Sequence, residues 1–226
     1  LSPSSAASDV YKRQSTWSAR LPSVIGAIIT SIYLFLSACP LIGEKAARRG
    51  AFIFATSLEI IILARSAVTD TTLLLALTVA MMSFARKKYI SAYTACGVAL
   101  LAKGPIGFGF PALIVGLWLL LTKQLNLTNI MKLRWIWGIP LACLIGLPWF
   151  IYMSIYHGST FTDTFLGYHN ITRFITPEHE GQNHIWMYFL VLTAGFFPWT
   201  GTIPLIFSYV KHWKQNKVLM YFIVWA

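Results

Sequence analysis

The sequence predicts an all-α fold, a polytopic bundle of transmembrane helices. Hydrophobic residues make up 57% of the 226-residue chain and charged residues 11%, whereas a soluble domain carries about 25% charged residues. The apolar residues fall into long runs separated by Gly, Pro or short charged segments, the punctuation expected at helix ends. The cations collect in alternate separators, as they do in a chain that crosses a bilayer repeatedly.

The runs place helices over residues 21–42, 48–65, 70–85, 89–103, 105–122, 135–156 and 185–210, with the start of another over 218–226. That makes about seven complete helices and a truncated one. The first begins after Arg20 and ends before Gly43. The second and third are separated by "RSAVTD", and the third and fourth by Arg86, Lys87 and Lys88. Gly104 and Pro105 divide the fourth from the fifth, because proline cannot continue a helix and glycine readily ends one. Lys123, Lys132 and Arg134 separate the fifth from the sixth, and a long polar loop over 157–184 leads to the seventh.

Basic residues lie in the separators holding Lys45, Arg48 and Arg49; Arg86, Lys87 and Lys88; Lys123, Lys132 and Arg134; and Lys211, Lys214 and Lys217. The positive-inside rule puts these in the cytoplasm. Arg20, Arg65, Asp70, Lys103 and the 157–184 loop are then on the outer side of the membrane. The net charge of +11 follows from this topology and needs no polyanion; no basic stretch carries the interleaved aromatics of a nucleic-acid surface, so no nucleic-acid partner is expected. Cys39, Cys96 and Cys143 lie within apolar runs without Cys-x-x-Cys or Cys/His spacing and read as small core residues. The opening "LSPSSAASDVYKRQ" has no apolar core and reads as a non-native leader over residues 1–14. The chain is expected to be a fragment at both ends.

Charge placement on the outer side is the functional signal. From Asp70 to Arg86 the chain advances 16 residues, roughly 24 Å of helix against a hydrocarbon core of about 30 Å. Asp70 is thus expected below the outer surface, as are Arg65 and Lys103. Submerged charges are costly and face a partner or a wet cavity. An Arg65–Asp70 pair closing a turn and the floor of a site for a charged substrate both fit. Arg20, Arg65, Lys103 and Arg173 together suit a phosphate, and "LAKGPIGFGFP" adds a helix start beside Lys103, an arrangement that favours anions. A lysine snorkelling from a helix end explains the same residue without function.

The loop "YHGSTFTDTFLGYHNITRFITPEHEGQNH" holds four of the five histidines and three of the seven acids. His169 and Arg173 share a face if the segment is helical. Glu178, His179 and His184 offer carboxylate and imidazole ligands, yet without a fixed metal spacing; a hydrogen-bonded, partly exposed loop is the better account of them. Neither a Gly-rich nucleotide loop nor a Gly-x-Ser-x-Gly elbow occurs. The Pro-Trp pairs in "LPWF" and "FFPWT" read as helix kinks with interfacial Trp anchors. Glu59, inside an apolar run, has no evident role.

In order and spacing, "ARSAVTD", "LAKGPIGFGFP", "LPWF", "YHNITRF…EH" and "FFPWT" resemble the bacterial polyprenyl-phosphate-sugar-dependent glycosyltransferases of the GT-C class, family 39. That family includes the lipid A aminoarabinose transferases and relatives of the dolichyl-phosphate-mannose protein mannosyltransferases. The resemblance implies that residues 15–226 are part of a GT-C transmembrane domain. It also implies an inverting transfer of sugar from a polyprenyl-phosphate donor to lipid A, a protein or a cell-envelope glycan, in which a carboxylate deprotonates the acceptor and cations stabilise the departing phosphate.

Carried onto this chain, the resemblance makes Asp70 a supporting site carboxylate and puts Lys103 at the family's "KG" position. Arg65, Lys103 and Arg173 become donor-phosphate ligands, and His169 and Glu178 lie in the loop over the site. His179 is the positional match for a ligand of a divalent metal. The family's general base lies in a first outer loop that would precede residue 17, so the chain as it stands is expected to lack it and to be inactive. A transporter or flippase of lipid-linked sugars, or a lipid-binding scaffold, are the alternative classes; no internal repeat supports the transporter.

Overall fold

The computed structural model describes residues 16–158, 161, 185–205 and 216–225. Among these the regular structure is helical throughout: α1 (Thr16–Ile42), α2 (Glu44–Thr56), α3 (Leu58–Arg65), α4 (Asp70–Ala85), α5 (Tyr89–Lys103), α6 (Ile106–Leu121), α7 (Leu127–Lys132), α8 (Trp135–His157), α9 (Ile185–Gly195), a 3-10 turn (Trp199–Thr202) and α10 (Lys217–Trp225). Among the described residues two helices, Trp17–Ile42 and Trp135–His157, are long and apolar enough to cross a membrane alone. α4 and α6, of 16 residues each, and α5, of 15, reach only about 22–24 Å. Their ends therefore stop short of a hydrocarbon layer about 30 Å thick.

The side-chain distribution along α1 is that of a membrane helix. Ser23, Gly26, Ala27, Thr30, Ser37 and Ala38 are buried, while Ile25, Ile28, Ile29, Ile32 and Leu36 are exposed. Between helices in lipid, small residues allow close approach and hydroxyls find internal partners, since apolar side chains gain nothing by turning inward. Thr30 Oγ1 donates to the Gly26 carbonyl at 2.7 Å and Ser37 Oγ to that of Tyr33 at 2.6 Å. A hydroxyl chain then ties three helices together: Tyr33 and Ser83 lie 3.2 Å apart, and Ser83 donates to Ser91 at 3.1 Å.

α5 is the central helix, packing on α4, α6 and α8. Its buried face is Ala92, Tyr93, Ala95, Cys96, Gly97, Ala99 and Leu100. The approach of its neighbours is close: a Cβ on Gly97 would lie 2.8 Å from the Ala142 carbonyl oxygen of α8, and one on Gly107 of α6 would overlap the Ala99 backbone. Cys96 is buried and none of the three cysteines is in a disulfide, as their apolar setting implied. α10 closes the other flank, with Tyr221 Oη donating to the Met81 carbonyl at 2.7 Å and its ring packing edge-on against Trp118.

Two expected continuous helices are each broken. The run 48–65 divides at Ser57, whose extended backbone (φ −68°, ψ 137°) separates α2 from α3. The run 185–210 ends as a helix at Gly195, and the segment from Trp199 onward turns away by 108°. "FFPWT" is thus a break where the sequence suggested a kink. The two breaks meet: Leu58 N–H donates to the Phe197 carbonyl at 2.9 Å, Trp199 Nε1 donates to Thr56 Oγ1 at 2.9 Å, and Phe52 packs edge-on against Trp199. Irregular backbone at membrane depth survives where protein satisfies its polar groups, and each break here supplies partners for the other.

Candidate functional site

α4 and α5 form an antiparallel hairpin turned by Arg86, Lys87 and Lys88. The first residue of α4 and the last of α5 therefore arrive at the same end. These are Asp70 and Lys103, and they form an ion pair. Each also suits its own helix, an anion at the N-terminus and a cation at the C-terminus. The pair is open, with the Lys103 and Asp70 side chains 49% and 38% exposed, so both can exchange this contact for a ligand.

Arg65 ends α3 and is exposed. A short link of Ser66, Ala67 and Val68 joins it to Thr69, the N-cap of α4. Ser23 Oγ of α1 donates to the Val68 carbonyl at 3.3 Å and fixes this link against the bundle. Among the described residues no carboxylate lies within ion-pair distance of Arg65, and the partner of Asp70 is Lys103. The turn-closing Arg65–Asp70 pair that the sequence allowed is therefore not the pair formed.

The helix start after Lys103 contributes less than its sequence suggested. Gly104 turns the chain with φ 74°, and Pro105 is the N-cap of α6. Gly107 N–H then donates to the Gly104 carbonyl at 3.0 Å, and Phe108 and Gly109 N–H to that of Pro105 at 3.2 and 2.8 Å. With these three donors engaged, the capacity of this corner for an anion rests mainly on the Lys103 ammonium.

Glu59, unassigned from sequence, lines a cavity of about 780 Å³ between α2, α3 and α9. The walls include Ile53, Phe54, Ile60, Met187, Val191 and Phe196, and Glu59 packs against Gly195 at the end of α9. The cavity exists because both helices break beside it. α3 carries Glu59 at its start and Arg65 at its end, so one short helix joins the apolar cavity wall to that cation.

Arg173, His169, Glu178 and His179 lie outside the described residues. Among the described residues no group of three or more His, Cys, Asp or Glu side chains is placed to hold a metal ion.

The sequence profile of the dolichyl-phosphate-mannose-protein mannosyltransferase family matches residues 2–160. The chain belongs to this family. Its relatives include an uncharacterized protein of Aquifex aeolicus, 28% identical over 178 residues, which span 79% of this chain and 41% of the relative. Another is the undecaprenyl phosphate-alpha-4-amino-4-deoxy-L-arabinose arabinosyl transferase of Edwardsiella ictaluri, 27% identical over 201 residues, 82% of this chain and 35% of the relative. The mannosyltransferase-family chain thus spans well under half the length of these curated relatives.

Its fold is that of ArnT from Cupriavidus metallidurans. The crystal structure of that protein bound to undecaprenyl phosphate matches with a TM-score of 0.81 at 19% identity, over 92% of this chain and 40% of the other. The apo structure matches with a TM-score of 0.75 at 21% identity. The mannosyltransferase-family chain is accordingly a multi-pass helical membrane protein of the GT-C type, as its motif order implied.

Proposed function

We propose that the chain carries the donor-phosphate side of a membrane glycosyltransferase site, which moves a sugar from a polyprenyl-phosphate donor to an acceptor hydroxyl on lipid A, a protein or an envelope glycan. The observation that carries this reading is the open Lys103–Asp70 pair at the end of the α4–α5 hairpin. Support comes from family membership and from the likeness to a structure solved with undecaprenyl phosphate.

In this reading the Lys103 ammonium faces the lipid phosphate and Asp70 positions it. Arg65 supplies a second cation with a planar fork. The acceptor oxygen bonds to the anomeric carbon as the bond from that carbon to the phosphate oxygen breaks, and the lipid phosphate leaves with the electron pair. Cations at that oxygen stabilise the charge as it develops. The hydroxyl proton passes to a carboxylate acting as general base.

The segment holding His169, Arg173, Glu178 and His179 would cover the site. A divalent ion, if bound, would take His179 as a ligand, and no step here depends on it. The site faces the outside of the inner membrane in this topology.

Donor binding is the test suited to this site, because the Lys103–Asp70 pair is read as its phosphate side. Undecaprenyl phosphate binding to the purified protein should weaken about 10- to 100-fold in Lys103→Met, the loss expected for a charge-assisted hydrogen bond. Unchanged affinity would overturn the site. Transport of lipid-linked sugar without transfer, measured with the full-length protein in vesicles, would replace the enzyme by a flippase.

A further inference from the structure

At the opposite end of the same hairpin lies a second cavity, of about 530 Å³, lined by Lys87, Lys88, Tyr89, Ile90, Ser91 and Arg134. We infer that this cavity binds the phosphate headgroup of an anionic glycerophospholipid in the membrane leaflet away from the Asp70–Lys103 pair.

Among the described residues, three cations share this cavity without a counter-charge. Those residues include three acids: Glu44 pairs with Arg48, Asp70 pairs with Lys103, and Glu59 lines the apolar cavity. None of them lines this one. The backbone that presents the cations is firmly held. Lys87 adopts φ 57° as its N–H donates to the Phe84 carbonyl at 3.0 Å and Lys88 N–H to that of Ser83 at 2.8 Å. This is a helix end that glycine ordinarily closes.

Arg134, also left-handed at φ 54°, caps α8. Tyr93 Oη donates to the neighbouring Leu133 carbonyl at 3.1 Å, and the Tyr93 ring packs edge-on against Phe84. Ser83 and Ser91 tie the other wall. The turn between α4 and α5 and the one between α7 and α8 therefore bring cations into one space.

The surroundings favour a lipid over a free anion. Ile90, on the cavity, is 74% exposed, and Trp137, three residues after Arg134, is 81% exposed. An exposed aliphatic side chain and an interfacial tryptophan beside a basic pocket are the setting of an acyl chain under its headgroup. Basic pockets between transmembrane helices on the cytoplasmic side are a recurrent form of headgroup site. The Tyr89 and Ser91 hydroxyls add uncharged partners for phosphodiester oxygens. Lys123 has the same left-handed backbone, φ 53°, and lies in a basic segment on the same side of the expected topology, but it does not line the cavity. It separates a built site from a general excess of positive charge.

The test is retention of phosphatidylglycerol by the purified protein, read by native mass spectrometry against phosphatidylcholine. Replacing Lys88 and Arg134 together by Gln should lower retention on the order of twentyfold, from about fivefold per cation, and Arg134→Lys should keep most of it. Lys123→Gln should leave retention unchanged. Thermal stability in phosphatidylcholine alone should be the same in all variants, and a variant that unfolds is replaced by Lys88→Gln alone, expected to lose about fivefold. Equal loss in Lys123→Gln, no loss in the double variant, or displacement of the lipid by millimolar inorganic phosphate would each overturn the proposal. Because the readout does not involve donor lipid or transfer, it stands or falls apart from the glycosyltransferase reading.

Discussion

The Lys103 ammonium is paired with the Asp70 carboxylate across 33 residues of sequence, at the open end of the α4–α5 hairpin. An exposed ion pair contributes up to about 1 kcal/mol to stability, so neither residue is held there by what the pair adds to folding. Asp70→Asn should therefore insert and melt like the parent and still bind undecaprenyl phosphate. In the full-length protein it should lose transfer by about 100-fold, the scale of removing one electrostatic element from a transition state. Retained transfer would leave Asp70 as an anion suited to the first turn of α4 and no more.

Arg65 offers a separate check on the same site. It is exposed and, among the described residues, makes no ion pair, so Arg65→Gln should leave the thermal midpoint unchanged. Donor-phosphate affinity should fall about tenfold, one charge-assisted contact. A change in stability with unaltered affinity would assign Arg65 to the fold.

Leu58 N–H, bonded to the Phe197 carbonyl at 2.9 Å, can be removed without forbidding α3. Leu58 is the first residue of that helix and follows Ser57 in the extended region, the setting in which proline is tolerated. Leu58→Pro should keep α3 helical yet release the turn after α9. Hydrogen exchange over residues 196–202 should quicken about fivefold, matching a net hydrogen bond of about 1 kcal/mol. Unchanged exchange would mean that Trp199 and Thr56 hold the junction alone.

That junction marks what sequence reading reaches. The helices expected over 70–85 and 89–103 are α4 and α5 to the residue, because charge, Gly and Pro stand at their ends. Asp70 and Lys103 are also identifiable as neighbours: with a tight turn near Lys87, 16 and 15 residues of antiparallel helix return to the same level. The break at Ser57 lies in a largely apolar run without Gly, Pro or a basic residue at the break, and at the one after Gly195 the Pro-Trp pair signals a kink and not a full break. Each is stabilised by a partner well over a hundred residues away, and local pattern carries no record of such a bond. The role of Glu59 as a cavity residue depends on both breaks and is hidden with them.

The side-chain half of the junction is measurable by a cycle. Trp199 Nε1 donates to Thr56 Oγ1 at 2.9 Å. Trp199→Phe keeps a ring for Phe52 to pack on, and Thr56→Val keeps the shape of the other partner. Each should destabilise by about 1 kcal/mol, and the double variant by little more than one of them. Additive losses would show that the two side chains act separately.

Close helix packing is tested by two glycines two residues apart on α6. A Cβ at Gly107 would fall on the Ala99 backbone, whereas one at Gly109 meets nothing within 4 Å. Backbone cannot move aside as the end of a flexible side chain can, so Gly107→Ala must push α6 away from α5, the helix that ends in Lys103. Its cost should exceed about 3 kcal/mol, the upper range for overpacking a core. Gly109→Ala should be neutral or stabilising by up to about 1 kcal/mol, since alanine is the better helix former. Thermal unfolding of the two variants in the same detergent decides between them: similar stability would mean that α5 and α6 do not approach as closely as this packing requires, while a large difference also predicts weaker donor binding in Gly107→Ala, through displacement of Lys103.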